Sequence, residues 1–303
     1  MVSKRREIMH DIWNPWHGCK RKSEGCEHCY MMYLDQVHGT GDGTRIYLTK
    51  SYNYPLSRKK DGTYKIHSGE VIRVCMNSDF FIEEADNWRS DVWKIIQLRS
   101  DVIFVLITKR PERILSCLPM DWKDGYENVL LYVTCETQKR IDERLPILEK
   151  LPFHHKGIML APLLEEVNIA QYLGKNSIDK VVCGGENYGG NRICHYDWVA
   201  DLSAQCKEAD TDFIFIETGT YFMKDHHLYQ IKSKIQQSKM AYRLRLSYQG
   251  HPTHYHLYDR FGQPILREMM HIPQYTSINC DECGSRPICN GCSKCGKCLQ
   301  KEE

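Results

Sequence analysis

Six short runs of apolar, largely β-branched residues recur along the middle of the chain: Val71–Met76, Val102–Thr108, Val129–Cys135, Gly157–Leu160, Lys180–Cys183 and Asp212–Glu217. Their centres fall roughly 23–33 residues apart, close to the length of one strand–helix unit. They show little polar alternation, which predicts strands covered on both faces in a parallel sheet. The segments between them carry helical spacing. Asp86–Leu98 places Trp88, Val92, Ile95 and Ile96 together. Pro111 can open a helix in its first turn, followed by Ile114, Leu115 and Leu118. Thr137–Leu151 turns Ile141, Leu145, Leu148 and Leu151 inward and leaves Asp142, Glu143 and Arg144 on the wet side. Tyr196–Cys206 aligns Val199, Leu202 and Cys206. This alternation predicts an α/β fold, a partial or complete β/α (TIM-like) barrel, with an open doubly wound sheet as its rival. Past Tyr221 the pattern weakens; His226–Gln237 reads as one more helix and Tyr242–Tyr248 as a strand. The expected organisation is a barrel with an N-terminal metal-binding loop over 1–220, an extension over 221–274 and a Cys-rich tail over 275–303.

Hydrophobic residues make up 42% and charged residues 26% of the 303 positions, enough to bury a large core and incompatible with a disordered or collagen-like chain. Lys and Arg number 41 against 39 Asp and Glu, so bulk charge does not announce a nucleic-acid binder. The apolar run Val102–Ile107 is far too short to span a bilayer, which takes ~20 residues. No apolar stretch follows the basic start Met1–Glu7, so no secretory signal is expected and the expected location is the cytoplasm.

Against that background 15 cysteines stand out. In a reducing compartment spaced cysteines read as metal ligands. Cys75, Cys117, Cys135, Cys183, Cys194 and Cys206 are scattered, mostly in apolar segments, and read as small buried hydrophobes. Cys19, Cys26 and Cys29 form a C-x6-C-x2-C loop. Three thiolates can hold three irons of a cubane cluster and leave one iron open. They can equally hold zinc, with His17, His28 or water as fourth ligand. Helical residues Met31–Val37 follow, placing the last thiolate near a helix N-terminus, which favours negative charge.

A three-cysteine loop ahead of a β/α barrel resembles the radical S-adenosylmethionine (radical SAM) superfamily. More closely, the chain resembles the phage- and mobile-element-associated three-cysteine-motif family of unassigned function. The matching stretches are Trp13-Asn14-Pro15, Gly18-Cys19, Gly25-Cys26 with Cys29-Tyr30, Asn77-Ser78-Asp79, Leu106 to Arg113, Pro162-Leu163-Leu164 and Gly184-Gly185-Glu186. The spacing departs from the C-x3-C-x2-C most familiar in that superfamily, and Ala161 stands where an acidic residue is expected. The resemblance implies a four-iron four-sulfur (4Fe-4S) cluster on Cys19, Cys26 and Cys29 that reductively cleaves SAM to start radical chemistry. It also implies an electron donor such as a flavodoxin or ferredoxin, and a nucleic acid, nucleotide or peptide as substrate.

Polar residues at the ends of the expected strands would then line the barrel mouth and meet SAM: Asn77, Ser78 and Asp79; Thr108, Lys109 and Arg110; Glu136; Gly184, Gly185 and Glu186. Lys109 and Arg110 can pair with the SAM carboxylate, or face solvent at a helix start. Gly184 and Gly185 with Glu186 can hold the SAM ammonium or ribose, or form a plain turn. Glu217 reads as a satisfied rim residue, and His154-His155 and His226-His227 as solvated pairs.

The tail reads Cys280-x2-Cys283-x5-Cys289-x2-Cys292-x2-Cys295-x2-Cys298, a second metal site, iron–sulfur or zinc. An auxiliary cluster suits electron transfer. A zinc knuckle near Tyr242, Arg243, Arg245 and Tyr248 suits a nucleic-acid or protein partner, and with zinc in the first motif too the chain reads as a nucleic-acid-interacting protein without redox chemistry.

Overall fold

The computed structural model describes residues 12–174, 178–188 and 192–266. In chain order it contains β1 (Ile12–Trp13), β2 (Trp16–His17), α1 (Tyr30–Val37), β3 (Tyr47–Leu48), β4 (Val71–Val74), α2 (Asp86–Leu98), β5 (Ile103–Thr108), α3 (Ile114–Cys117), β6 (Val129–Thr134) and α4 (Gln138–Lys150). Then follow β7 (His155–Leu160), β8 (Lys180–Gly184), β9 (Cys194–His195), α5 (Tyr196–Glu208), β10 (Asp212–Glu217), β11 (Tyr221–Lys224), β12 (His227–Gln230) and α6 (Lys234–Arg243).

Seven strands form one sheet in the order β1-β4-β5-β6-β7-β8-β10, every neighbouring pair parallel. Spatial order equals chain order, so the winding never reverses. A doubly wound sheet needs a reversal; this one is a curled half-barrel, and right-handed crossovers set its helices on one face. The core agrees. Ile72, Val74, Phe104, Leu106, Leu131, Val133, Ile158 and Val181 share one buried cluster with Val92, Ile96, Ile141, Leu145, Val199 and Leu202 from the helices. Alternate residues on the other face, Val105, Leu130, Tyr132 and Val182, form a smaller cluster closed by Tyr255. Strand β6, buried at every position, thus reads as the unbroken apolar run that both faces demand.

The segment after α6 crosses the amino ends of the strands. Tyr255 stacks on His155, the first residue of β7, with ring centroids 4.4 Å apart, and Tyr258 and Ser100 exchange hydrogen bonds ahead of β5. The β10 edge is covered where Phe213 and Tyr248 pair backbone to backbone. Among the described residues no helix is long and apolar enough to cross a membrane.

Several local expectations are corrected. His226–Gln237 is not one helix. Residues 221–230 form an antiparallel hairpin, β11–β12, turned by Asp225 and His226, both at positive φ (50° and 61°), and α6 begins only at Lys234. Tyr242–Tyr248 is not a strand: α6 runs to Arg243, and Leu244 and Leu246 pack against the core without pairing. Arg144 is buried, not on the wet side of α4, and His155 is buried, not solvated.

Candidate functional site

The cysteine loop begins from a fixed base. Trp16 and His17 pair antiparallel with Leu48 and Tyr47, and Gly18 turns the chain at φ +91° where a Cβ would strike the Arg45 carbonyl. Only glycine tolerates both constraints. Cys19 follows, half-buried; Cys26 is buried in a short 3-10 turn, Glu24–Cys26; Cys29 is the N-cap residue of α1.

From there the loop is tied to the carboxyl end of one strand after another. After β4, the Asn77 carbonyl accepts from Gly18 N at 3.0 Å and Ser78 Oγ donates to the Gly18 carbonyl at 2.5 Å. After β5, Arg110 Nη2 donates to the Lys20 carbonyl at 2.8 Å and Glu112 pairs with Lys22 at 2.6 Å. After β6, Glu136 accepts from Ser23 Oγ at 2.7 Å and Thr137 donates to Glu24 at 2.9 Å. After β8, Glu186 meets His28 Nδ1 at 3.1 Å, and Arg192 reaches the Glu24 carbonyl at 3.0 Å while also pairing with Glu186. The loop therefore lies over the carboxyl-end mouth of the half-barrel, the place where β/α folds carry chemistry.

Beneath it sit compensated charges. Asp79 accepts from Thr108 Oγ1 (2.8 Å), Lys109 N (3.0 Å) and Arg110 Nη1 (3.0 Å). Glu136, with a side chain wholly removed from solvent, is held by Lys109 Nζ and Arg144 Nη1, each at 2.9 Å. Burial pushes its carboxyl up, but Lys109 and Arg144 more than offset this and leave it below the ordinary carboxylate value. Burial drives the Cys19 thiol up to about 12; Asp79 adds to that push, Arg110 opposes it, and Cys26 and Cys29 contribute as neighbours. Cys26 Sγ accepts from Lys22 N at 3.4 Å. Among the described residues no three His, Cys, Asp or Glu side chains are arranged round one point as metal ligands; Cys26 and Cys29 are near enough to Cys19 to act on its thiol.

The residues expected to meet SAM are mostly engaged by protein. Asp79, Arg110, Glu136 and Glu186 are buried in the contacts just described. Gly185 has no room for a Cβ because the Thr218 carbonyl occupies that space, and Gly184 faces Ile216 across the same strand pair. Both glycines thus serve the approach of β10 to β8. Glu217 is a satisfied rim residue, accepting from Asn187 Nδ2 at 2.6 Å and pairing with Lys234. Cys280, Cys283, Cys289, Cys292, Cys295 and Cys298 lie outside the described residues. Sequence reasoning missed Ser23, Glu24, Arg140, Arg144 and Arg192, which complete the pairing. Arg144 carried a signal: it falls three residues after Ile141 and four before Leu148, on the apolar stripe of α4.

A family model described as "Protein of unknown function (DUF5131)" matches residues 4–256. The chain belongs to this family. The match takes in the cysteine loop, every strand of the sheet and α6, so the site lies wholly inside the family's shared region. No curated protein and no solved structure matches the chain.

Proposed function

We propose that the chain is a radical SAM enzyme whose cluster-binding loop runs from Gly18 to Cys29 and whose SAM and substrate sites share the mouth beneath. One observation carries the reading: a three-cysteine loop lies across the carboxyl ends of a singly wound parallel half-barrel. The donor set suits an iron–sulfur cluster, with three thiols on one loop and a backbone N–H on the Cys26 sulfur; at Cys19 the Arg110 guanidinium only partly opposes the burial that favours the neutral thiol. When bound, such a cluster with SAM supplies a carbon radical by one-electron cleavage of a carbon–sulfur bond. The chain's own part is to hold the loop, with Cys19, Cys26 and Cys29 on it, over the mouth through Ser78, Arg110, Glu136 and Glu186. Asn77, which is not fully buried, is a polar group at the mouth left to meet SAM, whereas the Lys109 ammonium is held by Glu136. An electron donor such as a flavodoxin or ferredoxin would supply the electron, the substrate class being nucleic acid, nucleotide or peptide.

Anaerobic purification tests the reading. Iron and sulfide in the full chain, an EPR signal on reduction that shifts with SAM, and release of 5′-deoxyadenosine are expected. Each should be lost from the first site when Cys19, Cys26 or Cys29 is replaced by Ala, since a cubane with two protein ligands is labile. Stoichiometric zinc with no iron would overturn the assignment in favour of a zinc-stapled binding protein.

A further inference from the structure

Glu136 stands at the carboxyl end of β6 with both carboxylate oxygens engaged: Oε1 takes Ser23 Oγ at 2.7 Å and Lys109 Nζ at 2.9 Å, and Oε2 takes Arg144 Nη1 at 2.9 Å. Its side chain is 0% exposed. Directly above it is Gly25, the residue before Cys26; a Cβ there would lie 2.4 Å from both Glu136 Cγ and Oε1. Such a clash is cheap only against a side chain free to swing away, and this one is fixed by a cation on each side. Gly25 has an ordinary negative φ, being absent from the positive-φ glycines, so its lack of a side chain is explained by this contact and not by backbone conformation.

We infer that Glu136 is a positioning residue: with Lys109 and Arg144 it forms a buried charged seat into which the cysteine loop drops at Ser23 and Gly25, fixing the height of Cys26 over the barrel mouth. A group so enclosed makes no contact with SAM or substrate while the loop is seated. The two cations exceed the one carboxylate by a charge, so the seat itself adds no net negative charge beneath whatever the thiolates of the loop carry. The inference rests on the radical SAM reading only for the identity of that cargo; the seating itself stands on this chain's own contacts.

The test uses the metal-free full chain, in four forms: wild type, Gly25→Ala, Glu136→Ala and the double variant. Two quantities are read: hydrogen exchange over residues 18–29 against the β5 and β6 peptides, and the rate at which Cys26 is alkylated, mapped by mass spectrometry. Gly25→Ala should speed both in the loop by roughly tenfold or more, the scale of one lost buried polar contact, while β5 and β6 keep their exchange rates. In the Glu136→Ala background the same methyl meets empty space and should add little, a non-additivity that neighbours in contact show and distant sites do not. Glu136→Gln, which keeps the volume and loses the charge, gives a second route if Glu136→Ala fails to fold; it should loosen the loop less than Gly25→Ala. Equal effects of Gly25→Ala in both backgrounds, or no effect on the loop, would overturn the seat. Neither readout involves iron, so a chain that holds only zinc would remove the proposed function and leave this inference standing.

Discussion

Asp79 and Arg110 meet at 3.0 Å across the ends of β4 and β5, and the same guanidinium reaches the carbonyl of Lys20 in the cysteine loop at 2.8 Å. One buried ion pair thus binds two strands of the half-barrel and the start of the loop into a single unit.

Replacing Asp79 by Ala leaves Arg110 buried without its counter-charge and strips acceptors from Thr108 Oγ1 and Lys109 N. Breaking a buried pair on one side costs about 3–5 kcal/mol, a large fraction of a typical total of about 5–15. Guanidinium unfolding followed by tryptophan fluorescence should show that loss. Asp79→Ala combined with Arg110→Met should recover part of it, because removing both charges avoids the stranded one. A single variant as stable as wild type would mean that water satisfies Arg110.

Glu24 gives a pH-dependent contribution. The Arg140 hydrogen bond, at 2.8 Å, holds its carboxyl down to about 2 from an ordinary 4.5. A depressed folded-state value means that stability is present in full above the unfolded value and is lost as pH falls through the folded one. The stability difference between wild type and Glu24→Gln should therefore be flat above about pH 5, shrink below the unfolded value of 4.5, and vanish near 2. Both groups are partly exposed, so the plateau should be small and should fall further with added salt. A difference that grows on acidification contradicts the pairing.

The parallel sheet was legible because each strand is buried on two faces, and an apolar β-branched run has few other readings. The hairpin at 221–230 was not. Its turn residues, Asp225 and His226, both adopt positive φ, which a two-residue hairpin loop of the primed type requires and which Asn-Gly or Asp-Gly normally advertises; a histidine there gives no such signal. Leu244 and Leu246 alternate with Arg243 and Arg245 because two leucines touch the core, and alternation alone does not distinguish that from a strand. At the site, residue types at strand ends pointed to the mouth, whereas the pairings did not. Glu136 finds Ser23 and Glu186 finds His28 across more than a hundred residues, a relation that no local spacing encodes.

Tyr255 should matter to the far end of the barrel. It packs against the inner cluster of Val105, Leu130, Tyr132 and Val182 and lies on His155, whose ring nitrogens have no hydrogen-bond partner among the described residues, Asp179 standing 3.7 Å from Nδ1. Tyr255→Ala should cost about 2 kcal/mol, less than the ~3–5 of a fully enclosed ring. The loss should be local: limited proteolysis should cut within 249–266 before it cuts the strands. Unchanged cleavage there would show that the Tyr258–Ser100 bonds hold the segment without the ring.

The Cys-rich tail supplies the last expectation. Residues 275–303 contain Tyr275, Ile278, Ile288 and Leu299 as their large apolar side chains, too few to offset an ordering cost of about 1–2 kcal/mol per residue in the backbone alone. Metal–thiolate bonds, which contribute about 10–16 kcal/mol at a structural site, would be the stabilising interaction if Cys280, Cys283, Cys289, Cys292, Cys295 and Cys298 are the ligands proposed. The described residues already supply a seven-stranded sheet and two buried clusters. Deleting 275–303 should therefore leave the thermal midpoint of the half-barrel unchanged while lowering the metal content, with the iron proposed for Cys19, Cys26 and Cys29 retained. A deletion that removes no metal would show that the tail cysteines are not ligands; one that melts the sheet would show that the barrel depends on the tail for packing.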